Sequence, residues 1–151
     1  MHQENLYQKN LNQENLNQEN LNQENLNQRS LNKRKEGARY EKLAQEYLKA
    51  QGYRILESNF RSRYAEIDVV AREGKYLAFV EVKQRSTRAL GSGSEAVDGR
   101  KQFRISMAAR YYLYKYHVDP SMPVRFDVVS IDRGQIRLIR NAFFYRESML
   151  C

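Results

Sequence analysis

The apolar patterning of this chain predicts a mixed α/β sheet flanked by helices, in the order α-β-β-β-α-β-β. Three observations carry that expectation. Tyr40, Leu43, Ala44, Tyr47 and Leu48 recur at helical spacing; 64–72, 76–85 and 124–140 hold strand-like runs; and a second helical stripe lies between those runs.

Before the first helix, Leu6, Leu11, Leu16, Leu21, Leu26 and Leu31 recur every five residues in an Asn/Gln/Glu filler. A five-residue step turns an α-helix by about 140°, so these leucines wind around it instead of forming a stripe. On a strand they would alternate faces. A pentapeptide solenoid wants a small residue where Glu14, Glu19 and Glu24 stand. Residues 1–35 are therefore expected to be a disordered tail, and 36–151 a single domain.

Within the domain, the first helix closes at Gly52. Tyr53 to Glu57 reads as a first strand, and 64–72 with 76–85 as a hairpin around Glu73-Gly74. Tyr76 to Val82 is apolar on both parities until Glu81, the mark of a central strand covered on both faces. A basic loop, 86–94, leads to a helix from Gly99 to Tyr116 with Asp98 as N-cap and a stripe of Ile105, Ala108, Ala109, Tyr112, Leu113 and Tyr116. Val124 to Asp132 and Gln135 to Arg140 are two further strands joined at Arg133-Gly134.

Composition narrows the function classes. The net charge is +8, and residues 1–28 hold one basic and four acidic side chains, so the remainder carries +11. A remainder that basic points to a polyanion, nucleic acid first and acidic membrane second. Cys151 is the only cysteine, and His2 and His117 are the only histidines. No disulfide, Cys/His zinc site or Ser-His-Asp triad can be assembled from them. No apolar run reaches membrane-spanning length, and no secretory signal is visible, so a cytoplasmic protein that does not enter membranes is expected.

The chemistry concentrates between Glu66 and Lys83. Strand side chains alternate, so Glu81 and Lys83 share a face, and hairpin pairing brings Asp68 beside them. Chance gives about one E-x-K triplet in a chain of this composition, and a second, Glu73-Gly74-Lys75, sits in a turn. Context raises Glu81-Val82-Lys83, because a strand covered on both faces carries charge only for a reason. The alternative is an ion pair at a solvated strand end. A second carboxylate weakens that alternative, since like charges repel unless a cation neutralises them. Two carboxylates and an amine suit a hard divalent cation, Mg²⁺ or Mn²⁺, acting on a phosphodiester. Glu41, beside the first helix's stripe, is a candidate fourth member, and Glu66 an auxiliary ligand. The Val82 carbonyl is a further metal-ligand candidate. Asp127, between Phe126 and Val128, is expected to pair with an arginine. Arg61, Arg63, Arg85, Arg88, Arg100, Lys101 and Arg104 are candidates to hold phosphates.

The segments G-A-R-Y-E-K-L-A-Q-E-Y-L, R-Y-A-E-I-D-V-V-A, F-V-E-V-K-Q-R, G-R-K-Q and R-F-D-V-V, from Gly37 to about Phe144, resemble the YraN-type family of predicted endonucleases. That family is similar to the PD-(D/E)xK restriction-endonuclease and junction-resolvase superfamily. The resemblance implies a restriction-endonuclease-like fold, with Asp68, Glu81 and Lys83 as its catalytic core and Glu41 as its helix glutamate. It implies a Mg²⁺-dependent nuclease acting on nucleic acid, DNA first and branched DNA within range. Junction-cutting relatives act as dimers, so a homodimer is implied too. The family usually has glycine where Tyr40 and Ala65 stand here. The rival expectation is a binding module on the same fold that cuts nothing.

Overall fold

The computed structural model describes residues 2–85 and 97–148. Arg88 and the whole of the expected basic loop, 86–94, lie outside them. The elements are α1 (His2–Ala50), β1 (Arg54–Arg61), β2 (Glu66–Glu73), β3 (Tyr76–Arg85), α2 (Gly99–Lys115), β4 (Val124–Asp132) and β5 (Gln135–Phe143). The expected α/β order is observed.

The chain divides into two compact units, residues 1–39 and 40–151. The repeat of residues 6–31 falls within the span of α1. Leu, Gln and Glu all favour helix, which offsets the asparagines. Its described leucines find no packing partner: Leu16, Leu21, Leu26 and Leu31 are 48–62% exposed.

In the second unit, β1-β2-β3-β4-β5 form one sheet in sequence order, antiparallel except for the parallel β3–β4 pair. Two cores line its faces. Ala44 and Leu48 of α1 pack with Tyr53, Val69, Ala71, Ala78, Val80, Val129 and Ile131 on one side. On the other, Ile105, Ala108, Ala109 and Tyr112 of α2 pack with Phe60, Ile67, Val70, Phe79, Phe126 and Val128. β3 is thus covered on both faces, as its doubly apolar run requires. Asp98 caps α2, accepting from the Lys101 N–H at 2.9 Å. Tyr116, expected in the buried stripe, is instead 45% exposed, because α2 ends at Lys115 and Tyr116 is only its cap. Gly52, at φ 90°, ends α1, and Tyr53 N–H reaches back to Leu48 O at 3.0 Å. Arg133 and Gly134, both at positive φ, make the two-residue turn of the β4–β5 hairpin.

At two breaks in the ladder a carboxylate accepts a stray backbone N–H. On β2 the pairing with β3 stops at Val69, and Val82 N–H donates to Asp68 Oδ2 at 2.7 Å. On β4 the register with β5 shifts between Phe126 and Val128, and Asn141 N–H donates to Asp127 Oδ1 at 2.9 Å. Asp127 is also gripped by Arg125 at 2.8 and 2.9 Å and accepts from Tyr53 Oη at 2.8 Å. Arg125 reaches on to Glu73 at 3.0 Å. The expected arginine partner of Asp127 is therefore its neighbour two residues back, and the whole group is structural.

Candidate active site

The break at Asp68 is what makes the site. Ile67 and Val69 are two apart and would share a face on a regular strand, yet they lie in opposite cores. Across the gap Asn59 takes φ 55°, and the β1–β2 register skips the Asn59/Asp68 step. The strand therefore bends at Asp68, and the carboxylate is brought against β3.

On β3, Phe79 belongs to the α2-side core and Val80 to the α1-side core, so Glu81 and Lys83 face α2. Glu81 is buried; its Oε1 lies 2.6 Å from Lys101 Nζ, and its Oε2 is buried without a hydrogen-bond partner among the described residues. An orphaned carboxylate oxygen costs on the order of 1–3 kcal/mol or more. Burial first, and then the charge of Glu81, push the Asp68 carboxyl up to about 7; the Val82 N–H and Lys101 act against them, and Glu41 adds a smaller upward push. Two carboxyl groups are thus held close enough to oppose each other's ionisation.

Lys83 shares the face of Glu81, in register with Ser130 on β4. It forms no ion pair among the described residues, although its charge reaches Asp98, whose carboxyl is held low first by the Lys101 N–H. Glu41 is half-buried on α1 and joins only through its field. Among the described residues no three His, Cys, Asp or Glu side chains are placed to share one metal ion. What the fold brings together is the pair Asp68 and Glu81.

The other expected residues sort cleanly. Glu66, the auxiliary candidate, pairs with Arg61 at 3.4 Å, outside the site. Arg63 and Arg104 converge on Tyr64: Arg63 Nη2 donates to Tyr64 Oη at 2.7 Å, and Arg104 Nε to Tyr64 O at 2.8 Å. Arg100 is exposed in the first turn of α2, and Arg85 ends β3. Lys101, expected on a phosphate, turns inward to Glu81 instead. That role was hidden in the sequence because it depends on how α2 docks; its position three residues after the Asp98 cap was the only hint. Asp132, not singled out from the sequence, has a buried Oδ1 without a partner and stands in register with Arg85.

The two glycine replacements are accommodated. Tyr40 packs on the α1-side core and its Oη accepts from Gln84 Nε2 at 2.9 Å. Ala65 is buried in the other core, and its φ is not positive.

Two carboxylates suit a hard divalent cation. The unpartnered Glu81 Oε2 and the mutual repulsion with Asp68 are the features such an ion would relieve, so the residues fit it. Lys101 already offsets part of that charge.

The fold and the site together define an α/β protein with an acidic pair and a lysine at the end of its central strands. Residues 40–131 match the family described as Uncharacterised protein family UPF0102. A UPF0102 protein of Lachnoclostridium phytofermentans is 50% identical over 107 residues, covering 71% of this chain and 91% of that protein. One from Symbiobacterium thermophilum is 45% identical over 112 residues, covering 71% and 94%. Another, from Legionella pneumophila, is 41% identical over 105 residues, covering 68% and 89%. The chain belongs to the UPF0102, or YraN-type, family. Among the described residues no helix is long and apolar enough to cross a membrane.

Proposed function

We propose that this protein is a metal-dependent nuclease hydrolysing phosphodiester bonds of nucleic acid, DNA first. The observation that carries the reading is the buried pair of Asp68 and Glu81, one oxygen of which has no partner. Asp68 and Glu81 would hold Mg²⁺ or Mn²⁺, with the Val82 carbonyl as an added ligand. When bound, the ion supplies an acidified water and neutralises charge developing on the phosphate. Val82 N–H fixes the rotamer of Asp68, so its second oxygen is presented in one direction. Lys101 holds Glu81 in place from α2. Lys83, on the same face, orients the attacking water and offsets charge on the phosphate oxygens; an ammonium gives up a proton more readily than a guanidinium would. Exposed Arg100 and its neighbours hold flanking phosphates without reading sequence.

A second reading, a binding module that cuts nothing, is favoured by one observation. The 2.6 Å contact from Lys101 lets Glu81 be neutralised from within the chain. Incubation of linear, flapped and four-way DNA with Mg²⁺ or Mn²⁺ separates the two. Cleavage that disappears in Asp68→Ala and Lys83→Ala, while binding persists, is the expected result. No cut in any substrate with either metal leaves the binding module.

A further inference from the structure

The outward side of α2 leads away from the site and is built of arginine and tyrosine. Tyr64, Met107, Arg110, Tyr111 and Tyr114 line an open groove of about 350 Å³. Met107, Tyr111 and Tyr114 follow one another at helical spacing on a single face. Tyr114 is 76% exposed and Tyr111 41% exposed, so the domain itself gains little from either ring. Tyr111 is nevertheless steadied, its ring 6.2 Å from that of Phe60. Tyr64 is fixed by the Arg104 bond to its carbonyl, and the Arg63 guanidinium lies 4.9 Å from its ring centre. No acidic side chain lines the groove.

Tyr64 and α2 connect the groove to the candidate active site. Tyr64 is four residues before Asp68, and Arg104 is one turn along α2 from the Lys101 that holds Glu81. From Lys101 to Tyr114 the helix rises about 20 Å. Aromatic faces set among cations match unpaired bases on a phosphate backbone: each base has a π-face to stack, and each phosphate a charge to meet. A duplex keeps its bases stacked on one another and has no use for the tyrosines. Net charge agrees with a polyanion and disfavours an equally basic second copy of the chain.

We propose that this groove binds a short single-stranded stretch of DNA, such as a flap or tail, that runs on to the site. The direction of travel rests on the nuclease reading; the binding does not.

The test is fluorescence anisotropy of the full chain with a labelled 15-nucleotide oligo-dT and a labelled 15-base-pair duplex, without divalent cations. Tyr111→Ala/Tyr114→Ala should weaken oligo-dT binding about tenfold or more. Duplex affinity should change less than about twofold, and Tyr114→Phe should bind like the parent. If the double variant does not fold by circular dichroism, Tyr114→Ala alone takes its place. Equal losses on both probes, or no loss on oligo-dT, overturn the proposal. So does sedimentation in which the parent is a dimer, the variant a monomer, and oligo-dT affinity is unchanged. Absent cleavage with tyrosine-dependent oligo-dT binding sinks the nuclease reading alone; cleavage with tyrosine-independent binding sinks the groove alone.

Discussion

Above neutral pH the Asp68 carboxylate is ionised beside Glu81, and the fold bears that cost. Its folded value of about 7 lies above the ordinary range, so the folded chain holds a proton that the unfolded chain has released. The resulting stability is complete below about pH 4 and is lost as pH rises to about 7. Asp68→Asn, which keeps an oxygen for Val82 N–H, should therefore melt several degrees higher than the parent at pH 8 in EDTA. At pH 4 the two should melt together. Added Mg²⁺ should raise the midpoint of the parent at pH 8 and leave that of Asp68→Asn unmoved; a parent indifferent to Mg²⁺ would argue against a cation at this pair. The Asp127 group is instead a paired, buried network. Its side chain is fully buried, and Arg125 serves both it and Glu73. Arg125→Met removes the arginine that Asp127 and Glu73 share and should cost about 3–5 kcal/mol in urea unfolding, whereas Tyr53→Phe should cost about 1–2 kcal/mol. Equal, small effects would mean that the group is not acting as a buried network.

Among the elements, those set by local chemistry were legible in the sequence. β4 runs from Val124 to Asp132 as expected, because the Arg133-Gly134 turn fixes one end. Asp98 caps α2 because it precedes a helical stripe. β1 was read only to Glu57, whereas it continues to Arg61; Leu56 is an extra residue that shifts the register and breaks the alternation on which the reading relied. For the site, strand parity was enough to put Glu81 and Lys83 on one face. The bend that delivers Asp68 was not legible, because it depends on Asn59 adopting a left-handed backbone across the sheet. Lys101 was misjudged for a similar reason, since charge alone cannot say whether a lysine faces solvent or a neighbour. In the repeat the described leucines, Leu16, Leu21, Leu26 and Leu31, are exposed, so its helix is expected to rest on local propensity. A chain beginning at Glu36 should lose helical circular dichroism yet keep its thermal midpoint within about 2 °C. A larger drop would show that the repeat packs on something after all.

As a whole, the molecule is an acidic site set in a basic body, +8 overall. DNA affinity should fall linearly with log salt; if about six phosphates are neutralised, it should drop about 10³-fold between 50 and 200 mM. A flat salt profile would remove nucleic acid as the partner. The topology has a different implication, for assembly. β2–β3 and β4–β5 are hairpins that can zip from their own turns, but the parallel β3–β4 seam joins strands 38 residues apart, from Arg85 to Val124. Closing that seam is the step that must wait for α2 to lie down across the sheet. Two polypeptides nicked between residues 86 and 96 would each own a complete hairpin, one bearing both carboxylates and the other the lysine that steadies Glu81. Co-expressed, such halves should find each other along that single edge and rebuild the pocket that neither contains.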